Sequence, residues 1–317
     1  MTSSSCAAQV SPHIKVLERG WLSSNSVVLR GAAGAAVVDT GYALHAEQTV
    51  DLVKAACGGL PLTEVVNTHL HSDHCGGNAA LQAAFPDTET WIPSRSADAV
   101  RHWNAEALSY RATGQQCPRF AFTHLLQANT SVQCGSRVWD IYAAPGHDPD
   151  AIMLFEPQTA TLISADALWH DGFGVLFPLL HHDHSAIDAA RHTLQTIAQL
   201  QPKVVIPGHG PPFNDVQDAL ARANERLKFI AAHPEKHRLH AARVLIKFHL
   251  MQVKRLQMDT LARWVRDTPY LQLLAQDMLG TSYPDATAWQ EWLAGLLHDL
   301  VRKQAIELTE GWVTDLT

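Results

Sequence analysis

The chain has 317 residues, 46% of them hydrophobic and 17% charged, with 24 Lys and Arg against 31 Asp and Glu for a net charge of −7. That length accommodates one large domain plus a small one, and no apolar run reaches the roughly 18–20 residues of a membrane span. Residues 235–317 hold ten basic and ten acidic side chains, so the whole −7 falls on residues 1–234, which disfavours a polyanionic partner held there on a broad basic surface.

The start, Met1 to Ala8, has neither a basic n-region nor an apolar core and reads as a frayed tail rather than a signal peptide. Cys6, Cys57, Cys75, Cys117 and Cys134 are odd in number and show no paired short spacing. This argues against a disulfide framework and for a reducing, cytoplasmic compartment. Val27-Val28-Leu29 and Ala35–Asp39 are short apolar runs parted by Gly31 and Gly34, and they predict a β-hairpin. Asp39 ends the second run, where it either caps the next helix or stiffens a neighbouring loop by accepting N–H bonds. That helix is expected over Leu44–Cys57, with apolar Leu44, Val50, Val53 and Ala56 and a stop at Gly58-Gly59. Glu64-Val65-Val66 reads as a buried strand. It delivers Asn67-Thr68-His69-Leu70-His71-Ser72-Asp73-His74-Cys75, where three histidines and a carboxylate fall within six residues. Imidazole and carboxylate are ligands that borderline cations such as zinc prefer. Gly76-Gly77 then turns the chain into a helix over Asn78–Phe85, and Cys75 reads as a small packing residue.

Glu89–Ile92 predicts another strand. Residues 94–122 read as an insertion with a helix over Ala97–Tyr110. Within it Trp103, Tyr110, Phe120 and Phe122 are candidate walls of a substrate pocket, with packing against the sheet as the alternative. Strands follow at Val138–Ala143, Ile152–Phe155 and Thr161–Ser164. Two strand sets with helices between and outside them predict an α/β fold of the αβ/βα sandwich kind. His147 follows the first of these strands and Asp166 ends the third. Leu168–His184 is irregular; its glycines among aromatics, Phe173 and Phe177 included, read as a loop covering a site. His181-His182-Asp183-His184 precedes a helix over Ser185–Leu200 and reads as solvated rather than as a second metal cluster. Val204–Pro207 is the last core strand and delivers Gly208-His209-Gly210. A helix over 214–232 closes a first domain, 10–232. Beyond His233-Pro234, helices over Arg243–Arg255, Thr260–Arg266 and Ala286–Arg302, then a hairpin at Ala305–Leu308 and Gly311–Val313, predict a small C-terminal domain, 235–317.

In order, Val37-Val38-Asp39-Thr40-Gly41, His69-x-His71-x-Asp73-His74, Gly146-His147, Ser164-Ala165-Asp166 and Gly208-His209-Gly210 resemble the motifs of the metallo-β-lactamase superfamily. The match covers roughly residues 10 to 232. The resemblance implies two adjacent divalent metals, zinc first, with iron or manganese also suited. One would take His69, His71 and His147, the other Asp73, His74 and His209, with Asp166 bridging and Asp39 supporting the metal loop. It also implies a metal-bridging hydroxide, oriented by Asp73, that attacks a small acyl substrate: a thioester, lactone or related ester, as in glyoxalase II-like thioesterases and lactonases. His71 stands where a glutamate would have indicated a di-iron oxidoreductase relative.

Two features depart from the glyoxalase II pattern. Its basic C-terminal glutathione-binding pattern is not found, and Asp148-Pro149-Asp150 stands where many relatives carry a second histidine that contacts substrate. The rival readings are phosphodiester cleavage, since relatives with winged helices include endoribonucleases, a non-hydrolytic ligand-sensing scaffold, and persulfide oxidation by iron. The C-terminal pattern is similar to a winged-helix domain, but Ala286–Arg302 sets Glu291 and Asp299 against Arg302, and the hairpin carries Glu307 and Glu310. A nucleic-acid reader needs basic side chains on those two elements. The basic side chains lie instead on Lys236–Met258, beside an acidic first domain. The C-terminal residues are therefore expected to dock there and cover one side of the site, or to form a homodimer contact, and not to read nucleic acid.

Overall fold

The computed structural model describes residues 10–281 and 285–317; the expected tail Met1–Ala8, with Cys6, lies outside the described residues. Ile14–Leu17 (β1), Ser26–Arg30 (β2) and Ala35–Val38 (β3) pair antiparallel. The same sheet continues in parallel through Leu62–Val66 (β4), Glu89–Pro93 (β5) and His124–Leu126 (β6). Ala46–Cys57 (α1) connects β3 to β4, and Ser72–Cys75 (α2) and Asn78–Ala84 (α3) connect β4 to β5. Ala97–His102 (α4) and Tyr110–Thr113 (α5) lie in the insertion before β6. Ser131–Cys134 (β7), Arg137–Ala143 (β8), Ile152–Glu156 (β9) and Thr161–Ala165 (β10) form an antiparallel second sheet. Ser185–Leu200 (α6) then crosses over to Val204–Pro207 (β11), which joins β10 in parallel, and Val216–Ala232 (α7) follows.

Alternation along the strands builds the layers. Val27 and Leu29 of β2 and Ala36 and Val38 of β3 pack with Trp139, Ile141, Leu154 and Ile206 of the second sheet. Their neighbours Val28 and Val37 face the other way, onto Val53 of α1 and Leu81 of α3. The outer face of the second sheet, with Met153, Phe155, Leu162 and Val205, is covered by α6 and α7. Burying both faces of each sheet against helices or the other sheet is what the continuous apolar runs of these strands require. The αβ/βα sandwich read from the sequence is the observed architecture.

His233 ends α7 and caps the next helix, Pro234–Val253 (α8), whose first position is the proline. After it come Arg255–Gln257 (β12), Met258–Asp267 (α9), Pro269–Leu279 (α10), Ala286–Arg302 (α11), Ile306–Thr309 (β13) and Trp312–Asp315 (β14). The strands form an antiparallel sheet in the order β12-β14-β13. Leu245, Leu271, Leu274, Leu297 and Val313 centre a cluster that also takes in Val175 and Leu180 of the loop before α6.

Three expectations are corrected. The helix expected over Ala97–Tyr110 stops at His102 because Trp103 enters the left-handed region at φ 49°. The Asn104 side chain then accepts the N–H groups of Glu106 and Ala107 and makes a turn instead. Leu44 is exposed rather than on the buried face of α1. The basic stretch Lys236–Met258 divides: Lys236 and Arg238 reach Phe229 and His182 of the first half, and the other four basic side chains find partners within the C-terminal segment. Arg243 meets Asp299 at 2.6 Å, Lys247 and Lys254 both hold Asp315, and the Arg255 guanidinium lies 4.4 Å from the Trp312 ring centre.

Candidate metal centre

The site sits where β3, β4, β10 and β11 end. At Asp39 the chain leaves β3 with φ 57°, a conformation Asp tolerates better than most residues. Its carboxylate accepts the Thr68 N–H at 2.9 Å, the Thr68 hydroxyl at 2.7 Å and the His74 Nδ1–H at 2.8 Å. With Nδ1 committed, His74 turns Nε2 into the site. The Thr68 hydroxyl, donating to Asp39, is left to accept from His69 Nδ1 at 3.2 Å, which likewise leaves His69 Nε2 free. His147 Nδ1 donates to Val175 O at 2.6 Å, so its Nε2 faces His71 Nδ1 at 2.8 Å. These three rings are thus held at their outer nitrogens, the arrangement by which ligating histidines are oriented.

Backbone bonds fix the loop that carries them. Ser24 N donates to Asp73 O, Thr40 N to His74 O and Ile152 N to Thr68 O. Asn25 ties the His209 loop to the same frame, through its own N–H to Gly208 O and its side-chain amide to Pro207 O and Gly210 O. Gly208 is demanded by contact, because a Cβ there would overlap Asp166 Oδ1. A Cβ at Gly174 would overlap the His147 ring, so the loop after β10 passes directly over that side chain.

Asp166 stands between two histidine groups. Its Oδ2 lies 3.3 Å from His147 Nε2 and its Oδ1 lies 3.4 Å from His74 Nε2 and 4.0 Å from His209 Nε2. Asp73 Oδ2 is 3.2 Å from His209 Nε2 and 3.9 Å from His74 Nε2. The potential ligand atoms of His69, His71 and His147 fall within 4.8 Å of one another, as do those of Asp73, His74 and His209, and those of His69, His74 and Asp166. The buried Nε2 atoms of His69 and His74 have no hydrogen-bond partner. Orphaned imidazole nitrogens converging on carboxylates in a buried site are a donor set that fits divalent cations. All seven residues expected as ligands therefore converge on one place.

The charges are strongly perturbed. Burial, with His71 beside it, holds the His147 imidazole down to about 4, and burial does the same to His71, with Asp73 opposing. Burial works against the Asp166 carboxylate, but His74, His209 and His147 outweigh it and hold it well below its ordinary range. Burial would likewise lower His74; Asp166, Asp39 and Asp73 reverse this and raise it well above its usual value. Asp148, at the expected departure from the family pattern, places Oδ2 3.4 Å from His71 Nε2.

The expected pocket residues divide. Tyr110 and Phe120 are buried beneath the metal loop with Leu70, Cys75 and Ile92, and Trp103 packs on that cluster; Tyr110 Oη donates to Leu70 O. Phe173 is buried in the core under the second sheet. Trp103, Tyr110 and Phe120 satisfy the insertion's need for apolar packing and brace the loop, while Phe173 lies beside His147 and Asp166 at a small internal cavity. Phe177 does face the ligands, with ring centres 5.0 Å from His71 and 5.5 Å from His147.

Two further aromatics at the site, Trp21 and Tyr270, were not foreseen, whereas Trp169 belongs to the stretch read as a loop covering a site. Trp21, 56% exposed, stacks on His209 at 5.2 Å. Trp169 meets the same ring edge-on at 5.4 Å and donates Nε1–H to Asp166 Oδ1 at 3.2 Å. Tyr270 of α10 stacks on Phe177 at 5.9 Å. The cluster His181-His182-Asp183-His184 is exposed and takes no part in the metal-type groups found among the described residues.

Comparison with known proteins agrees with this geometry. The family model for the metallo-beta-lactamase superfamily matches residues 19–209. A hydroxyacylglutathione hydrolase of Thermosynechococcus vestitus is 32% identical over 143 residues, 45% of this chain and 47% of that protein. The enzyme of the same name from Acaryochloris marina is 33% identical over 148 residues, 45% and 48% of the two chains. The chain thus spans about half the length of these curated relatives. The crystal structure of a metallo-beta-lactamase family protein from Thermus thermophilus superposes with a TM-score of 0.56 at 18% identity, covering 97% of this chain and all of that one.

Proposed function

The chain belongs to the metallo-β-lactamase superfamily, and from that premise we propose that it is a dinuclear metal-dependent hydrolase of small acyl substrates, thioesters or lactones. The observation that carries this reading is Asp166, whose two oxygens reach a histidine of each ligand group, His147 and His74. A carboxylate so placed suits a bridge between two cations, His69, His71 and His147 holding one and Asp73, His74 and His209 the other. Bound there, a pair of such ions supplies an acidified water near neutral pH and polarises a carbonyl. Zinc suits the donor set, and iron or manganese would also be accepted.

The chain's own residues prepare that chemistry. Asp73, held ionised by His74 and His209 against its burial, presents Oδ2 beside His209 as the proton acceptor and orienting group. Asp39, Thr68 and Val175 O keep three imidazoles in the tautomer that offers Nε2. Trp21 and Trp169 lay aromatic surface on His209, and Phe177, backed by Tyr270, lays it on His71, which suits an apolar acyl group.

An acyl ester is favoured over a phosphodiester. Among the described residues no Lys or Arg pairs with Asp73, Asp148 or Asp166, whereas phosphate recognition draws on such cations. The hydroxyacylglutathione hydrolase relatives support the thioester class. We read residues 10–232 as the catalytic domain and 235–317 as a winged-helix-like appendage that walls one side of the site through Tyr270.

The test is a substrate panel of thioesters, lactones, β-lactams and RNA, offered to the metal-loaded protein and to Asp73→Asn. At least one thioester or lactone should be hydrolysed, with the rate lost in the variant by about 100-fold or more, the scale of a positioned acid–base group. RNA cleavage faster than every ester would reverse the assignment.

A further inference from the structure

Two thiols unused by the chemistry above lie together behind the metal loop. Cys75 ends α2 directly after His74 and is fully buried. Its Sγ lies 3.3 Å from His71 O, 3.5 Å from Leu70 O and 3.2 Å from Tyr110 Oη. Cys117 Sγ is 3.8 Å away. Cys117 is half-buried, in a stretch without regular structure between α5 and β6. Cys57 and Cys134 are buried elsewhere, in the layer under α1 and between the two sheets.

We propose that Cys75 and Cys117 are a redox-active pair that a hydroperoxide converts to a disulfide, and that this bond weakens the metal loop's hold on its cations. Cys117, the more accessible sulfur, attacks the peroxide oxygen: an S–O bond forms, the O–O bond breaks, and water or an alcohol leaves. Cys75 Sγ then attacks the sulfenyl sulfur; the S–S bond forms, the S–O bond breaks, and water leaves with the Cys75 proton. Two thiols lose two electrons and two protons, and the peroxide takes them up. Cys75, fully buried beside the half-buried Cys117, is placed as the second, resolving partner. A pair of this kind suits a reducing compartment, where cytosolic disulfides are transient and redox-sensing.

The coupling to the metal loop follows from what must move. A disulfide brings the sulfurs to about 2.0 Å, so they close from 3.8 Å. The chain just before Cys117 is pinned, because Ser72 Oγ donates to Gln115 Oε1 and Gln116 N donates to Tyr42 Oη. Part of the displacement therefore falls on Cys75, whose Sγ must leave the carbonyls of Leu70 and His71. Those carbonyls belong to the segment that presents His69, His71 and His74.

The coupling rests on the metal-site reading, but the pairing does not, and one experiment separates them. The full chain, reduced and loaded with zinc, is treated with hydrogen peroxide, digested without reduction and mapped by mass spectrometry. Zinc transfer to a chromogenic chelator is followed in parallel. The expected result is a peptide pair joined through Cys75 and Cys117, with zinc release faster by on the order of tenfold, the scale at which loss of outer support weakens a metal site. A phosphine reductant should reverse both. Cys117→Ser should give no linked pair and should release zinc at the reduced wild-type rate with or without peroxide. Absence of the linked pair overturns the pairing, whatever the zinc does. A linked pair with unchanged release overturns the coupling, as does equal peroxide-driven release from Cys117→Ser. A protein that takes up no zinc defeats the metal-site reading itself, while the linked peptides still report on the thiols.

Discussion

Asp39 accepts three hydrogen bonds from two residues of the metal loop, and both of its oxygens are used. An asparagine can keep the left-handed backbone, but it turns an NH2 group toward either the Thr68 N–H or the pair formed by the Thr68 hydroxyl and His74 Nδ1. Asp39→Asn is therefore expected to fold and to bind cations about 10- to 100-fold more weakly, the range for outer partners of metal ligands. Competition with a chelator measures this; an unchanged affinity would show that the carboxylate does not orient His74. At this scale the site was largely legible from the chain. Four of its seven candidate ligands lie within six consecutive residues, and His147, Asp166 and His209 each follow a readable strand. Trp21, Asn25 and Tyr270 were not legible, because only tertiary contact brings them to the site and none stands in a local pattern that marks it. The same limit explains Tyr110 and Phe120, since an aromatic in an insertion looks alike whether it lines an opening or braces a loop.

At the scale of elements, α8 and α10 tie the C-terminal segment to the loop over the site. Tyr270, one residue into α10, backs Phe177 against His71 and His147. Tyr270→Ala should raise KM roughly 2- to 12-fold, the worth of one aromatic contact, with bound metal and kcat unchanged. Loss of metal in that variant would show that α10 supports the ligands rather than the substrate. His237 of α8 is buried and accepts the Leu176 N–H at Nε2, 3.1 Å away, just before Phe177. Burial, with the Arg226 guanidinium adding to it, depresses His237 to about 4. The unfolded chain, with an ordinary imidazole near 6.5, takes up the proton first as the pH falls. Stability is thus full above about 6.5 and is lost as the pH drops toward 4. Between pH 7 and pH 5 this group should cost about 2 kcal/mol. Urea midpoints of the metal-free protein should show a loss larger by that amount than in His237→Gln, whose amide oxygen can still accept the Leu176 N–H. Equal losses would contradict a buried neutral histidine. α10 escaped sequence reading although Pro269 at its first turn was a usable signal. The run Ala97–Tyr110 misled because its apolar spacing continues past the left-handed Trp103, which no propensity marks.

Across the whole molecule, short apolar runs bounded by turn residues identified the sandwich. The edge strands β1, β6 and β7 and the three-residue β12 were missed because short, half-exposed segments carry little periodicity. Charge also reads differently at this scale. The basic side chains of Lys236–Met258 were expected to face the acidic first half, yet Asp299 and Asp315 take up Arg243, Lys247 and Lys254. Among the described residues no helix is long and apolar enough to cross a membrane. The central proposal is that two cations act together at Asp166. The direct measurement is a titration of the metal-free protein with zinc, following the initial rate of thioester or lactone hydrolysis against metal equivalents per chain. The expected curve rises to a plateau at two equivalents, and in Asp166→Ala both the plateau rate and the stoichiometry fall. A plateau reached at one equivalent, with Asp166→Ala indistinguishable from wild type, would contradict the dinuclear assignment.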